Sequence, residues 1–580
     1  MANNFADRIL LNGLAPSTQG SNIGATAEVG EPRQSGVINS EWWSWTAPNN
    51  GTFTINTKNS NFDTWLSVFT GSAVNNLTRI TEDDDGGGNW TSLVTLNTTA
   101  GTTYQIAVDG YSGNTGNIKL NIVPIAINGT PGDDTLTGTT YSEIINGLAG
   151  WDRIIGGNGN DTISGGDGAD YLDGGSGSDQ LIGGLEGDQY IVDNVGDIIS
   201  ELPNQGTNDA VYSTVTYTLP AEVENLLLQG TVGISATGNN LNNRISGNSG
   251  NNTLNGLAGD DHIIGNTGAD QLTGGLGNDI YEVDDTGDVV TELAGEGTDE
   301  VRSTVTYTLP AQVENLRLDG QIWNINGTGN ILPNLIVGNQ FSNVLNGSTG
   351  ADTLVGGQAS DIYEVDDAGD VVIENPLDGI DRVVSTVTYT LPAEVEELYL
   401  NGTAAIDGTG NNVSNNIIVG NSANNTLNGG GGFDILTGNG GADTFLFKFG
   451  DSSLSVSTRD SITDFAIGTD KIDLLTQGGA AMNAPSSFSR AANYNNTSNL
   501  LQDLADQVFI DANGELAGNQ ALGINSAALV VSTAGSSVNN YLVINDATAG
   551  FQPSNDLVIN LITSGQLPPV GAIPVTNFFT

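Results

Sequence analysis

Between residues 129 and 446 the apolar positions recur with a period that fits neither a helix nor a lone strand. From Gly129 to Ile191 a large apolar residue returns every nine positions, as Leu136, Ile145, Ile154, Ile163, Leu172, Leu181 and Tyr190. Two residues before each stands an acidic one: Asp134, Glu143, Asp152, Asp161, Asp170, Asp179 and Asp188. The clearest units are Gly156–Ser164, Gly165–Asp173 and Gly174–Ile182, of the form G-G-x-G-x-D-x-U-x with U apolar. Repeated glycine in the first six positions allows positive φ and close backbone approach, so it predicts a turn. The closing x-U-x is too short for a helix, and one apolar residue between polar ones suits a short strand. Two such half-turns per coil predict a flattened parallel solenoid with stacked strands ~4.8 Å apart. Eighth-position side chains then fill a thin core, and sixth-position carboxylates stack along each edge.

Three more blocks keep the frame. Residues 238–282 give five units, with Asp261, Asp270 and Asp279 at the sixth place after Asn243 and Asn252. Residues 329–364 give four, with Asp352 and Asp361 after Asn334 and Asn343, and residues 411–446 give four, with Asp434 and Asp443 after Asn416 and Asn425. The intervening 46-residue segments, 192–237, 283–328 and 365–410, repeat among themselves. Each carries Ser-Thr-Val-Thr-Tyr-Thr-Leu-Pro-Ala and then a Leu-x-Leu pair, Leu226/Leu228, Leu316/Leu318 or Leu398/Leu400. Growth by whole units is the habit of a solenoid, so 125–448 reads as one repeat domain.

The flanks have other patterns. In 1–124, Glu41–Pro48, Gly51–Thr57, Trp65–Phe69 and Thr103–Asp109 alternate like half-buried strands separated by turn clusters, which predicts a β-sandwich. Alternation buries some of Trp42, Trp43 and Trp45, which favours core packing over a sugar-stacking platform. Asp83, Asp84 and Asp85 read as a solvated acidic loop, with a calcium site as the second reading. Residues 449–478 read as strands that cap the last coil, since a terminal repeat otherwise exposes its apolar face. Residues 479–580 turn to Ala, Asn and Ser; a helix over 498–508 and strands at 528–532 and 541–545 predict a small mixed module.

Charge narrows the chemistry. The 580 residues hold 14 Lys and Arg against 67 Asp and Glu, a net charge of −53, with 80 Gly, one His and no Cys. So few basic residues argue against nucleic acid and anionic membrane as partners, and make divalent cations the natural counterions. No apolar run approaches the ~18 residues of a membrane helix, and the N-terminal residues carry no conventional secretory signal pattern. Two carboxylates ~4.8 Å apart repel by roughly 3 kcal/mol at an effective dielectric of about 20. A ladder of them on a core one residue thick needs a compensating ion. Carboxylates and turn carbonyls together suit calcium, whereas zinc, copper and iron–sulfur sites lack ligands.

The nonapeptide resembles the hemolysin-type (RTX) calcium-binding repeat, whose fold is a parallel β-roll. The resemblance implies multiple calcium ions held by sixth-position aspartates and turn carbonyls: Asp152, Asp161, Asp170, Asp179, Asp188, Asp261, Asp270, Asp279, Asp352, Asp361, Asp434 and Asp443. Asp134 and the turn glycines Gly157, Gly159, Gly166, Gly168, Gly175 and Gly177 join the set. Asn at the sixth place departs from the motif, so weak or absent sites are expected there, and Glu143 in its Gly-poor unit is doubtful. Trp42-Trp-Ser-Trp-Thr-Ala-Pro48 and Ile106-Ala-Val-Asp-Gly-Tyr-Ser-Gly113 resemble the bacterial pre-peptidase C-terminal domain. Asp460–Leu474 resembles the strand pair that closes RTX rolls. Ala517–Gly523 and Tyr541–Phe551 look like a tail module of cyanobacterial calcium-repeat proteins. The RTX resemblance implies a bacterial protein exported by a type I system through an uncleaved C-terminal signal.

His262 stands at the seventh place of a repeat and reads as an exposed strand residue. One His excludes H-E-x-x-H, and G-x-S-x-G is absent. The expected protein is therefore an all-β, exported calcium-binding repeat protein: a parallel β-roll flanked by an N-terminal sandwich and the C-terminal module. It is expected to fold on calcium outside the cell, with a structural, surface or binding role and no catalytic site. Two alternatives stand beside it. One is an extracellular hydrolase or polysaccharide-modifying enzyme; the other is an adhesin or surface-layer component whose residues 1–124 touch glycans or matrix.

Overall fold

A computed structural model describes residues 4–13, 15–32, 39–48, 51–140, 142–321, 324–413, 415–452, 459–491, 494–495, 508, 522–534, 537–546, 548, 552 and 555–580. Regular structure among them is strand, apart from short 3-10 turns and Val508. The chain forms two compact units, residues 1–279 with 287–289, and residues 280–286 with 290–580.

The first unit opens with two facing sheets. One runs Ile9–Leu11, Glu41–Thr46, Thr103–Gly110, Thr64–Thr70 and Thr78–Asp83; the other runs Ser17–Ser21, Asn117–Pro124, Gly51–Asn56 and Leu93–Thr98. Trp43 and Trp45 point into the core between them, against residues such as Phe53, Leu66, Val94 and Ile106. Core packing takes all three tryptophans, Trp42 included, because the opposite face of the strand is covered too. Phe5 and Phe69 close over Trp42 at ring distances of 5.3 and 5.8 Å, and all three tryptophans are at most 1% exposed. Buried rings offer no stacking platform to a sugar.

From Ala126 the same unit becomes a parallel solenoid. One ladder stacks Ala126–Asn128, Ile144–Ala149, Thr162–Asp167, Gln180–Leu185 and Ile198–Ser200; the other stacks Thr135–Thr137, Arg153–Asn158, Tyr171–Ser176, Gln189–Val192 and Ala210–Ser213. Ile154 pairs with Leu172 and Ile163 with Leu181, so one coil is two nonapeptides. The side chains of Ile145, Ile154, Ile163, Leu172, Leu181 and Tyr190 are fully buried, each stabilising the stack by about 1.5–3 kcal/mol. The glycines admit backbone rather than side chains. At Gly166 (φ +119°) and Gly168 (φ +126°), a Cβ would lie 2.1 Å from Leu148 O and 2.0 Å from Gly150 O.

The spacers do not leave the solenoid. The strands Ile198–Ser200, Ala210–Ser213 and Asn225–Leu228 continue the ladders in parallel register, and Tyr217–Thr218 starts a new one. Leu226 and Leu228 face inward, with Leu227 between them half-buried. The second unit repeats this plan through Glu300–Ser303, Arg382–Ser385 and Glu397–Leu400.

At the end of the second unit, Ser461–Ala466 and Lys471–Leu475 each extend one ladder, pairing with Ile435–Thr437 and Thr444–Lys448. Ser461–Ala466 then pairs with Leu557–Ser564, which joins an antiparallel sheet with Ser537–Asn545 and Ser526–Ala534. The helix expected over 498–508 lies outside the described residues except for Val508, as does most of the 517–523 motif.

Candidate metal sites

The strand–turn geometry carries the sixth-position aspartates after Asp134 inward. Asp152, Asp161, Asp170, Asp179, Asp188, Asp261, Asp270, Asp279, Asp352, Asp361, Asp434 and Asp443 are at most 2% exposed. One carboxylate oxygen serves the backbone. Oδ1 accepts the N–H eighteen residues earlier at 2.8 Å for Asp170, 2.7 Å for Asp179, 2.7 Å for Asp261 and 2.7 Å for Asp352. The other oxygen is orphaned. Oδ2 of Asp152, Asp161, Asp170, Asp179, Asp188, Asp261, Asp352, Asp361, Asp434 and Asp443 is buried with no hydrogen-bond partner.

That oxygen points at the first glycine of its own unit and at a carbonyl of the next coil. A Cβ on Gly147 would sit 2.2 Å from Asp152 Oδ2 and 2.5 Å from Gly165 O; on Gly156 it would sit 2.4 Å from Asp161 Oδ2 and 2.5 Å from Gly174 O. Each turn thus gathers a bare carboxylate oxygen and a carbonyl around its glycine, oxygen donors of the kind a hard cation takes. Without an ion, burial favours the protonated form of these carboxyls. Burial, reinforced by neighbouring carboxylates, raises Asp161 to about 7, Asp188 to about 8 and Asp361 to about 7, although a backbone N–H lowers each. Gly157, Gly159, Gly166, Gly168, Gly175 and Gly177 all turn with positive φ.

Asp134, an expected ligand, and Glu143, a doubtful one, sit differently. Asp134 is half-buried, and its Oδ2 is taken by the Thr130 N–H at 2.5 Å and hydroxyl at 2.9 Å. Glu143 is held by the Thr139 N–H at 3.1 Å and by the Thr139 hydroxyl. Both are satisfied within their own turns because Thr stands where the turn otherwise has Gly.

The asparagines take the opposite solution to the aspartates. Asn243 Nδ2 donates to Val223 O and Glu224 O at 3.3 and 3.2 Å, and Asn239 Nδ2 to Pro220 O and Val223 O, both at 2.7 Å. Asn252 reaches Ile234 O at 2.9 Å, and Asn334 reaches Val313 O and Glu314 O at 3.2 and 3.0 Å. Here amide protons satisfy carbonyls of the preceding spacer.

Aspartates of the spacers and the cap escaped the nonapeptide reading. Asp197, Asp209, Asp370, Asp381, Asp460 and Asp470 are buried, and their Oδ1 atoms accept the N–H groups of Asp179, Asp188, Asp352, Asp361, Asp434 and Asp443 at 2.7–3.1 Å. Their signal was D-x-U without the nine-residue count, as in Asp197-Ile-Ile and Asp381-Arg-Val. In the sandwich, Asp84 and Asp85 gather with Asp63, while Asp83 caps its loop through the Gly86 and Leu93 N–H groups at 2.7 and 2.8 Å. His262 is half-buried, and its Nδ1 accepts from Arg244 Nη1 at 3.0 Å.

Comparison with known families meets this geometry. Residues 128–163, 155–190, 237–272 and 246–281 match the RTX calcium-binding nonapeptide repeat, and residues 345–538 match the peptidase M10 serralysin C terminal. No curated protein matches the chain. The chain carries RTX calcium-binding repeats in a parallel β-solenoid, and multiple calcium ions are the cofactor such repeats imply.

Proposed function

We propose that the protein is a secreted calcium-binding repeat protein that folds as it loads calcium outside the cell and serves there as a scaffold or binding surface rather than a catalyst. The observation that carries this reading is the row of buried, unpartnered Asp Oδ2 atoms, each beside a turn carbonyl. A structure with so many orphaned carboxylate oxygens is stable at neutral pH only when cations join them, so binding and folding are one process. Asp152, Asp161, Asp170, Asp179, Asp188, Asp261, Asp352, Asp361, Asp434 and Asp443 are the proposed ligands, with Asp270 and Asp279 by position. Calcium fits oxygen-only turns of this kind; magnesium keeps its waters.

The serralysin-type C-terminal match supports export by a type I route. Low cytosolic calcium then keeps the roll unfolded until it has left the cell. The sandwich is an accessory module of the pre-peptidase C-terminal type, and the residues after 478 contain the export signal. A non-catalytic role is supported by His262, whose Nδ1 meets the Arg244 guanidinium where a triad histidine turns that nitrogen to a carboxylate. The test is far-UV circular dichroism of the full chain at pH 7.5, with millimolar calcium and with excess chelator. Full β signal in calcium and its loss in chelator are expected; an unchanged spectrum in chelator refutes the proposal.

A further inference from the structure

The last aspartate of a block meets the spacer that follows it. Asp188, Glu201 and Asp209 bring three carboxylates to one point, an oxygen of each lying within 4.8 Å of the others. Asp361, Glu374 and Asp381 form the same group in the second unit. The four aspartates are at most 1% exposed. Asp188 Oδ2, Asp209 Oδ2, Glu201 Oε2 and Asp361 Oδ2 are buried without a hydrogen-bond partner. A phenol completes each group: Tyr190 Oη donates to Glu201 Oε1, and Tyr363 Oη to Glu374 Oε1.

One glycine marks each centre. A Cβ on Gly183 would lie 2.0 Å from Asp188 Oδ2, 2.0 Å from Tyr190 Oη and 2.4 Å from Glu201 Oε1; on Gly356 the same three distances are 2.5, 1.9 and 2.3 Å to Asp361, Tyr363 and Glu374. Backbone without a side chain is what leaves the oxygens room to converge. The charges facing Asp188 are Asp170, Glu201 and Asp209, all negative. The spacing Asp, Tyr two residues on and Glu thirteen on recurs in the middle repeat as Asp279, Tyr281 and Glu292.

We propose that each of these two junctions is a divalent-cation site of its own kind, in which Asp188, Glu201 and Asp209, or Asp361, Glu374 and Asp381, give three carboxylates to one calcium ion. A nonapeptide turn contributes carbonyls and its sixth-position carboxylate. The junction adds two spacer carboxylates, so the ion pins the spacer to the block before it. Oxygen-only donors of high charge select a hard cation, and the count of three carboxylates favours calcium over magnesium. The proposal rests on the reading of the chain as a calcium-loaded roll and adds Glu201, Asp209, Glu374 and Asp381 to its ligands.

The test uses the full chain, stripped with chelator and titrated at pH 7.5. In equilibrium dialysis, Glu201→Gln/Glu374→Gln keeps the phenol hydrogen bonds but removes one charge per site, and it should hold two fewer calcium ions than the unmodified chain. An unchanged count overturns the proposal, leaving a proton shared among the carboxyls as the junction's structure. Terbium(III), an oxygen-seeking ion of similar size, gives a second readout because a phenol beside it sensitises its emission. Tyr190→Phe/Tyr363→Phe should keep the calcium count and lower tyrosine-sensitised emission; undiminished emission overturns the proposal even if the Gln pair does not fold. An unmodified chain that binds no calcium refutes the wider reading, whereas calcium binding with an unchanged count in the Gln pair refutes only the junction sites.

Discussion

Aspartate turns and asparagine turns occupy the same sixth position of the same repeat and solve opposite problems. Asp170 sends Oδ1 to a backbone N–H and leaves Oδ2 bare. Asn243 brings two amide protons and spends them on Val223 O and Glu224 O. The difference is one proton-bearing nitrogen for one oxygen, yet it converts a position that calls for a cation into one complete without it. Asparagine also appears where a block begins, against the loop of the preceding spacer. The lesson is that the chain mixes coils that close on their own with coils that wait for an ion.

The largest expected effect is on local stability without calcium. In excess chelator at pH 7.5, hydrogen exchange should lose protection around residues 152–190 first and keep it longest around 239–254; uniform loss along the roll would erase the distinction. Acidification is next. Buried carboxyls raised to about 6–8, chiefly by desolvation, bind protons in the folded state that the unfolded chain releases near pH ~4. The folded state thus holds more protons across that window, so stability falls as pH rises through it. In chelator the roll should regain order as pH drops from 8 toward 5, and calcium uptake near pH 7 should release protons; a titration in weak buffer reads both.

Exchanging the two residue types gives the smallest and sharpest effect. Asn334→Asp removes the donors to Val313 O and Glu314 O and should cost about 1–3 kcal/mol in chelator at pH 5, where the roll is ordered without calcium, measured by urea unfolding. Asp170→Asn should bind one calcium ion fewer, while leaving the other turns intact.

Much of this was legible because one period carries both the core and the candidate ligands. Ile154 and Asp152 follow from the same count, and the structure buries both. Asp197 and Asp209 were not legible as repeat members because the count measures chain length, whereas the ladder requires only that D-x-U arrive in register. A loop between two stacked strands changes length at small entropic cost, so the nine-residue frame fails while the stacking persists. That Trp42 is buried along with Trp43 and Trp45 goes beyond what the sequence pattern carries, for a different reason. Its outer face is closed by Phe5, thirty-seven positions away in the chain, and alternation within a strand says nothing of such a cover.

The final coils have one more consequence. An unfinished parallel ladder is a template, its free N–H and C=O groups able to take up another molecule's strand. Here Ser461–Ala466 is taken by Leu557–Ser564, and Ile472 donates its N–H to Phe578 O at 2.6 Å. Both growing ends are therefore occupied by the chain's own last hundred residues, which makes that segment a chain terminator in the polymer chemist's sense. Protein cut short before it would be expected to stack end to end into fibres.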